Sequence, residues 1–220
     1  MGMEEFKDYW LNVHGPIASK MANLRKYDQH VVVDAEHRHA IGRVRWLSTG
    51  IPSCNSTVTA TWSRAWSRCT ANGANDVPMF ANPHCQILVL AKREVIRIPE
   101  YLRGRKLIKR VSFLGRADGV TPSNSQEWWN VHDRLVQDRS RGAWGYNQDL
   151  VIDRIDGGVS VPYEELPVEG VVEMWFETKE AFDEYYASPE FARASAHSSE
   201  FIGAINTYLT ETYPVALPSA

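Results

Sequence analysis

The feature that most constrains this chain is an internal repeat, because self-similarity over a long period fixes architecture before any single element does. Trp10-Leu11-Asn12-Val13-His14 matches Trp128-Trp129-Asn130-Val131-His132 at an offset of 118, as W-x-N-V-H. Tyr27-Asp28-Gln29-His30-Val31-Val32-Val33-Asp34 matches Tyr146-Asn147-Gln148-Asp149-Leu150-Val151-Ile152-Asp153 at an offset of 119. Residues 87–99 parallel 206–218, again at 119. Order and spacing agree, so the sequence predicts a tandem duplication with units at 1–103 and 104–220.

The second unit is the more legible. Residues 109–115 alternate as a strand, and Gly119, Thr121 and Pro122 supply a turn and the start of a helix over 123–136. Residues 146–153 are β-branched and alternating and precede an Asp156-Gly157-Gly158 turn; 170–176 read as another strand. Thr178 caps a helix through Tyr186, Ser188-Pro189-Glu190 opens a further helical turn, and 205–213 form the last strand. The order β-α-β-β-α-β is the ferredoxin-like split βαβ motif, an antiparallel sheet with both helices on one face. Its other face needs cover. The expected fold is therefore α+β, two ferredoxin-like units packing sheet to sheet as an α/β barrel within one chain.

The first unit departs from this plan. A helical pattern begins at Glu4 with no strand before it, and 43–75 show neither a helical nor a strand period. Shifting the reading frame across 44–62 permits a pattern close to 169–176, so the stretch reads either as a frame-shifted segment or as a divergent insert.

Composition excludes several classes. With 27 acidic against 24 basic residues and a net charge of −3, the chain lacks the basic footprint of a nucleic-acid or anionic-membrane binder. No apolar run reaches the roughly 18 to 20 residues of a membrane span, and the start lacks a signal-peptide pattern, so a cytoplasmic protein is expected. Cys54, Cys69 and Cys85 lack zinc or disulfide spacing. His37-x-His39 has no third ligand placed by the sequence, so no metal is expected. The 8 tryptophans and 9 tyrosines offer flat walls for planar ligands as well as core volume.

Phe6-x-x-Tyr9-Trp10-x-x-x-His14-Gly15-Pro16, Tyr27-x-Gln29 and Ser188-Pro189-Glu190-Phe191 resemble the EthD-type proteins of the dimeric α/β-barrel superfamily. The resemblance covers most of 4–34 and 108–215. It implies cofactor-free proton-transfer chemistry on small cyclic or aromatic-derived molecules, or an accessory role beside a degradative enzyme. Asp133-Arg134 stand where the first unit has Gly15-Pro16, so equal function of the two halves is not expected; the pair forms either a charged lid or a solvated helix end.

The candidate residues follow from face and chemistry. Trp10 and His14, like Trp128 and His132, share a helix face at i and i+4. Each His is either a general acid-base at a cavity wall or a buried group bonded to a backbone carbonyl. Tyr27 with Gln29, and Tyr146 with Gln148, share strand faces and could orient a carbonyl or form a polar layer at the barrel's end. The expected function is an isomerase, decarboxylase or lyase acting on a small aromatic-derived or lactone catabolite, with His132 and His14 moving the proton. The alternative is a non-catalytic accessory or small-ligand-binding protein. The chain is expected to be a monomer with an internal pseudo-dimer, or a homodimer.

Overall fold

A computed structural model describes residues 2–21, 24–44, 50–56, 76, 86–102, 104–137 and 142–217; at 52, 54–56, 133–135 and 137 the description stops at the backbone. The chain opens with helix α1 (Met3–Tyr9), a π-helical turn (Trp10–His14) and helix α2 (Gly15–Ala18). Strands β1 (Leu24–Asp34), β2 (Gly50–Ser56) and β3 (Gln86–Ile96) follow. The second half runs β4 (Ile108–Arg116), α3 (Pro122–Gln137), β5 (Ala143–Asp156), β6 (Val159–Ser160), β7 (Gly170–Phe176), α4 (Lys179–Tyr186), α5 (Pro189–Ser198) and β8 (Ile202–Pro214).

Local chemistry sets these boundaries. Thr178 Oγ1 accepts from the Ala181 amide at 3.2 Å to start α4, and Ser188 Oγ accepts from the Phe191 amide at 3.1 Å to start α5, with Pro189 in its first turn. Gly157 and Gly158 take positive φ values of 56° and 85°, which permits the tight turn between β5 and β6.

The strands form one antiparallel sheet in the order β2-β1-β8-β4-β7-β5-β3, with β6 paired to β5. Its centre, β8-β4-β7-β5, is the ferredoxin-like arrangement. The first half extends both sides of it: β1 pairs with β8 (Val31 opposite Glu211) and β3 with β5 (Ala91 opposite Leu150). The sheet curls into a half-barrel. On one face α3, α4 and α5 bury Trp128, Trp129, Val136, Phe182 and Tyr185 against Leu114, Tyr146, Val172, Met174 and Phe176. On the other, Val111, Phe113, Val171 and Tyr208 are covered by Val32, Ile51 and Leu88 from the first half. Strands of the first half thus cover the apolar face that a lone ferredoxin-like unit would expose.

β2 forms where neither period predicts an element. Its register on β1 runs from Leu24 opposite Ser56 to Val31 opposite Gly50, so pairing with β1, rather than its own pattern, makes it a strand. The remainder of the expected frame-shifted stretch, 45–49 and 57–75, lies outside the described residues.

One constellation of contacts occurs in both halves. Gln29 Nε2 donates to the Trp10 carbonyl at 2.6 Å, and Gln148 Nε2 to the Trp129 carbonyl at 3.3 Å. The Trp10 ring packs over Gly50, opposite Val31, and the Trp129 ring over Gly170, opposite Leu150. A side chain at either glycine would collide with the indole, which is why each strand opens on the smallest residue.

Candidate active site in the second half

Strand β4 places two adjacent cations on opposite faces of the sheet, and both are buried: Lys109 is 4% and Arg110 6% exposed. Arg110 points to the helical face. There a cavity opens, lined by Trp128, His132 and Val136 of α3, Tyr146 of β5, Tyr185, Phe191 and Arg110. It holds about 480 Å3 of empty space with its mouth included, and about 40 Å3 is open to the centre of a water molecule. The four-residue spacing of Trp128, His132 and Val136 aims all three at the cavity.

The first half supplies part of the wall. The Ile205 amide donates to the Gly42 carbonyl at 2.7 Å and Asn206 Nδ2 to the Val44 carbonyl at 3.1 Å, pinning 35–44 along β8. Arg38 clamps the same segment: it binds both oxygens of Asp34 at 2.6 and 3.1 Å and lies 5.1 Å over the Phe182 ring. This docking carries His39 and Ile41 to the cavity. His39 Nε2 lies 3.1 Å from Thr207 Oγ1 and 3.3 Å from the Tyr186 hydroxyl.

His132 is 8% exposed and stacks on Trp128, with ring centroids 4.6 Å apart. Its Nδ1 is buried without a hydrogen-bond partner among the described residues. Burial first, then the neighbouring His197 and Arg110, lower its pKa from 6.5 to about 4. The ring is therefore neutral near pH 7. His197 stacks 5.7 Å from His132, and its Nδ1 accepts the Trp128 indole N–H at 3.1 Å. Indole only donates, so His197 carries its own proton on Nε2. Burial and then Arg110 also lower His39, to about 3.

Of the expected site residues, the cavity gathers His132, Tyr146 and Trp128. Gln148 stands behind it: Nε2 donates to the Tyr146 hydroxyl at 3.0 Å and to the Trp129 carbonyl, and so fixes the tyrosine rather than lining the cavity. In the first half Trp10, Tyr27 and Gln29 are buried, and His14 Nδ1 lies 3.1 Å from Asp76 Oδ2. The repeated glycine and glutamine contacts align Trp10 with Trp129, not with Trp128. The side chains of Asp133 and Arg134 lie outside the description. The His37 and His39 rings lie 6.2 Å apart, centroid to centroid, and His37 Nε2 bonds the Ile41 carbonyl at 2.7 Å.

Three residues at or beside the cavity are not assigned to it by the sequence. Arg110 lies in an alternating strand, His39 in a loop of the other half, and His197 near the end of α5. Only the fold brings them together.

A second polar cluster fills the opposite face of the sheet. Lys109 pairs with Glu173, which also binds Lys92 Nζ at 2.9 Å and Asn147 Nδ2 at 2.9 Å. His30 Nε2 lies 3.2 Å from Lys109 Nζ and 2.9 Å from Ser53 Oγ. Burial works to raise Glu173, but Lys109 and Lys92 outweigh it and hold the group well below the usual carboxylate range. Burial and then the Glu173 charge raise Asp149 from 3.8 to about 7.

These features define a ferredoxin-like α+β protein with a small recess between sheet and helices. Residues 117–204 match the family model of the EthD domain. The match includes His132, Tyr146 and His197; Arg110 and His39 lie outside it. Among solved structures the whole chain is similar to an anthrone oxidase-like protein, with a TM-score of 0.62 and 11% identity over 99% of this chain and 90% of that one. It is also similar to a proposed monooxygenase from Lactobacillus acidophilus, with a TM-score of 0.52 and 7% identity over 100% of this chain and 93% of that one. At these identities the likeness is one of fold. No curated protein sequence matches the chain. No helix among the described residues is long and apolar enough to cross a membrane.

Proposed function

We propose that the second-half cavity performs a cofactor-independent proton transfer, an isomerisation, decarboxylation or elimination, on a small aromatic-derived or lactone catabolite. The observation that carries this reading is His132, a neutral imidazole at the cavity wall whose Nδ1 has no protein partner among the described residues. A base whose conjugate acid has a pKa of about 4 removes only protons that an adjacent carbonyl has acidified. In this reading Tyr146, whose hydroxyl accepts from Gln148, binds that carbonyl oxygen as negative charge develops. Trp128, Tyr185 and Phe191 provide flat apolar walls for a ring.

The EthD match and the anthrone and monooxygenase names of two similar structures favour small-molecule catabolism as the setting. In this reading the first half is a copy of the same unit that now closes the second half's cavity through His39 and Ile41, making a pseudo-dimer of one chain. The recurrent tryptophan, glutamine and glycine contacts support that descent.

The test is turnover of a panel of hydroxyaromatic ketones and lactones by wild type and by His132→Gln, which keeps much of the side-chain volume. The expected loss in kcat is about 10²- to 10⁴-fold, the usual contribution of a positioned acid-base group. Unchanged turnover of every accepted compound by the variant overturns the reading.

A further inference from the structure

We infer that this cavity takes an organic anion, a small aromatic carboxylate, and that Arg110 anchors its carboxylate. The inference rests on the proposed function only in placing the ligand in the same cavity, and it names the ligand's charge, which that reading leaves open.

The argument begins with what is missing around one cation. Other buried or part-buried cations have carboxylate partners: Lys109 has Glu173, Arg116 and Arg154 share Glu169, and Arg38 has Asp34. Arg110 has none among the described residues. Its Nε donates to Ser112 Oγ at 2.9 Å, one terminal nitrogen reaches Met174 Sδ at 2.9 Å, and its plane lies 5.5 Å from the Tyr186 ring centroid. A hydroxyl, a thioether and an aromatic face orient a guanidinium without cancelling its charge.

The cavity does not supply the missing charge. None of its lining residues among those described is acidic, and His39 and His132 are held neutral. Arg stays protonated at any ordinary pH, so the recess carries a net positive charge behind apolar walls. Taking a charge out of water without a partner costs several kcal/mol, which a bound anion offsets. The contrast within β4 is informative. Lys109 and Arg110 are adjacent and equally buried, yet only the cation facing away from the cavity has a counter-ion.

Guanidinium geometry selects the anion. Its planar fork matches a carboxylate through two parallel N–H···O bonds. The aromatic walls of Trp128, Tyr146, Tyr185 and Phe191 suit a flat ring, which enters as those side chains move apart, since the free volume of about 40 Å3 is smaller than a cavity that holds benzene. Arg110 also helps to depress the His132 pKa, so pairing Arg110 with a carboxylate makes His132 a stronger base as the ligand enters. Ligand charge and base strength are thereby linked.

The experiment compares benzoate with its neutral isostere benzamide, by calorimetric titration and thermal shift, on wild type, Arg110→Met and Arg110→Lys. Wild type is expected to bind benzoate saturably and at least about tenfold more tightly than benzamide, the scale of a charge-assisted pair. Arg110→Met is expected to lose that preference, benzoate affinity falling by a larger factor than benzamide affinity, and Arg110→Lys to retain part of it. Should Arg110→Met not fold, the benzoate-to-benzamide ratio in wild type and Arg110→Lys decides alone. Equal affinity for the two compounds in wild type, no benzoate binding, or undiminished benzoate affinity in Arg110→Met overturns the assignment. His132→Gln separates this result from the proposed function: its benzoate-to-benzamide ratio stays near that of wild type if Arg110 is the anchor, and it loses turnover only if His132 is the base.

Discussion

Acidification reads the environment of His132 directly. The unfolded chain takes up this proton as the pH falls through 6.5, whereas the folded protein takes it up only at about 4. Between those values the unfolded state binds the extra proton, so the group's contribution to stability is present above 6.5 and is lost as the pH falls towards 4. A separation of about 2.5 units corresponds to about 3 kcal/mol at 1.36 kcal/mol per unit. His39 and His30, lowered to about 3 and about 2, add their own losses, so wild type alone does not isolate the effect. The informative quantity is the difference between wild type and His132→Gln in urea unfolding at several pH values. Wild type is expected to lose about 3 kcal/mol more than the variant between about pH 7 and about pH 4. Parallel stability profiles would mean that folded His132 titrates near its ordinary value, and the argument that the cavity holds a neutral, desolvated imidazole would fail.

Two further predictions concern the frame around the site. A Cβ at Gly170 would stand 2.3 Å from Trp129 Cζ2 and one at Gly50 2.5 Å from Trp10 Cζ3, so Gly170→Ala and Gly50→Ala should each cost about 1–3 kcal/mol in chemical denaturation. Asp149 releases its proton at 3.8 when unfolded and at about 7 when folded, so its contribution is full below 3.8 and is lost as the pH rises to 7. Asp149→Asn should remove that decline, and an unchanged profile in the variant would place the titrating group elsewhere.

Much of the second half was legible in the sequence because its signals are local. Thr178 and Ser188 cap the helices they precede, and Gly157-Gly158 turn the chain where the pattern says they should. The need for cover on the second sheet face was legible too, from apolar residues on both sides of the strands. β2 was not, because its strand character comes from pairing with β1 and its own sequence, with Pro52 inside, argues against it. Arg110 was unreadable for a related reason. A basic residue in an alternating strand ordinarily faces solvent, and only the sheet and helices packed around both faces of β4 bury this one.

The central claim is that His132 moves a proton to or from a bound small molecule. Incubating wild type in D2O with aromatic-derived ketones and lactones, and following deuterium at the carbon next to the carbonyl by mass spectrometry, measures that step without requiring net turnover. The account predicts deuterium incorporation above the buffer rate in wild type and a return to the buffer rate in His132→Gln. Incorporation that is equal in the two proteins would contradict it.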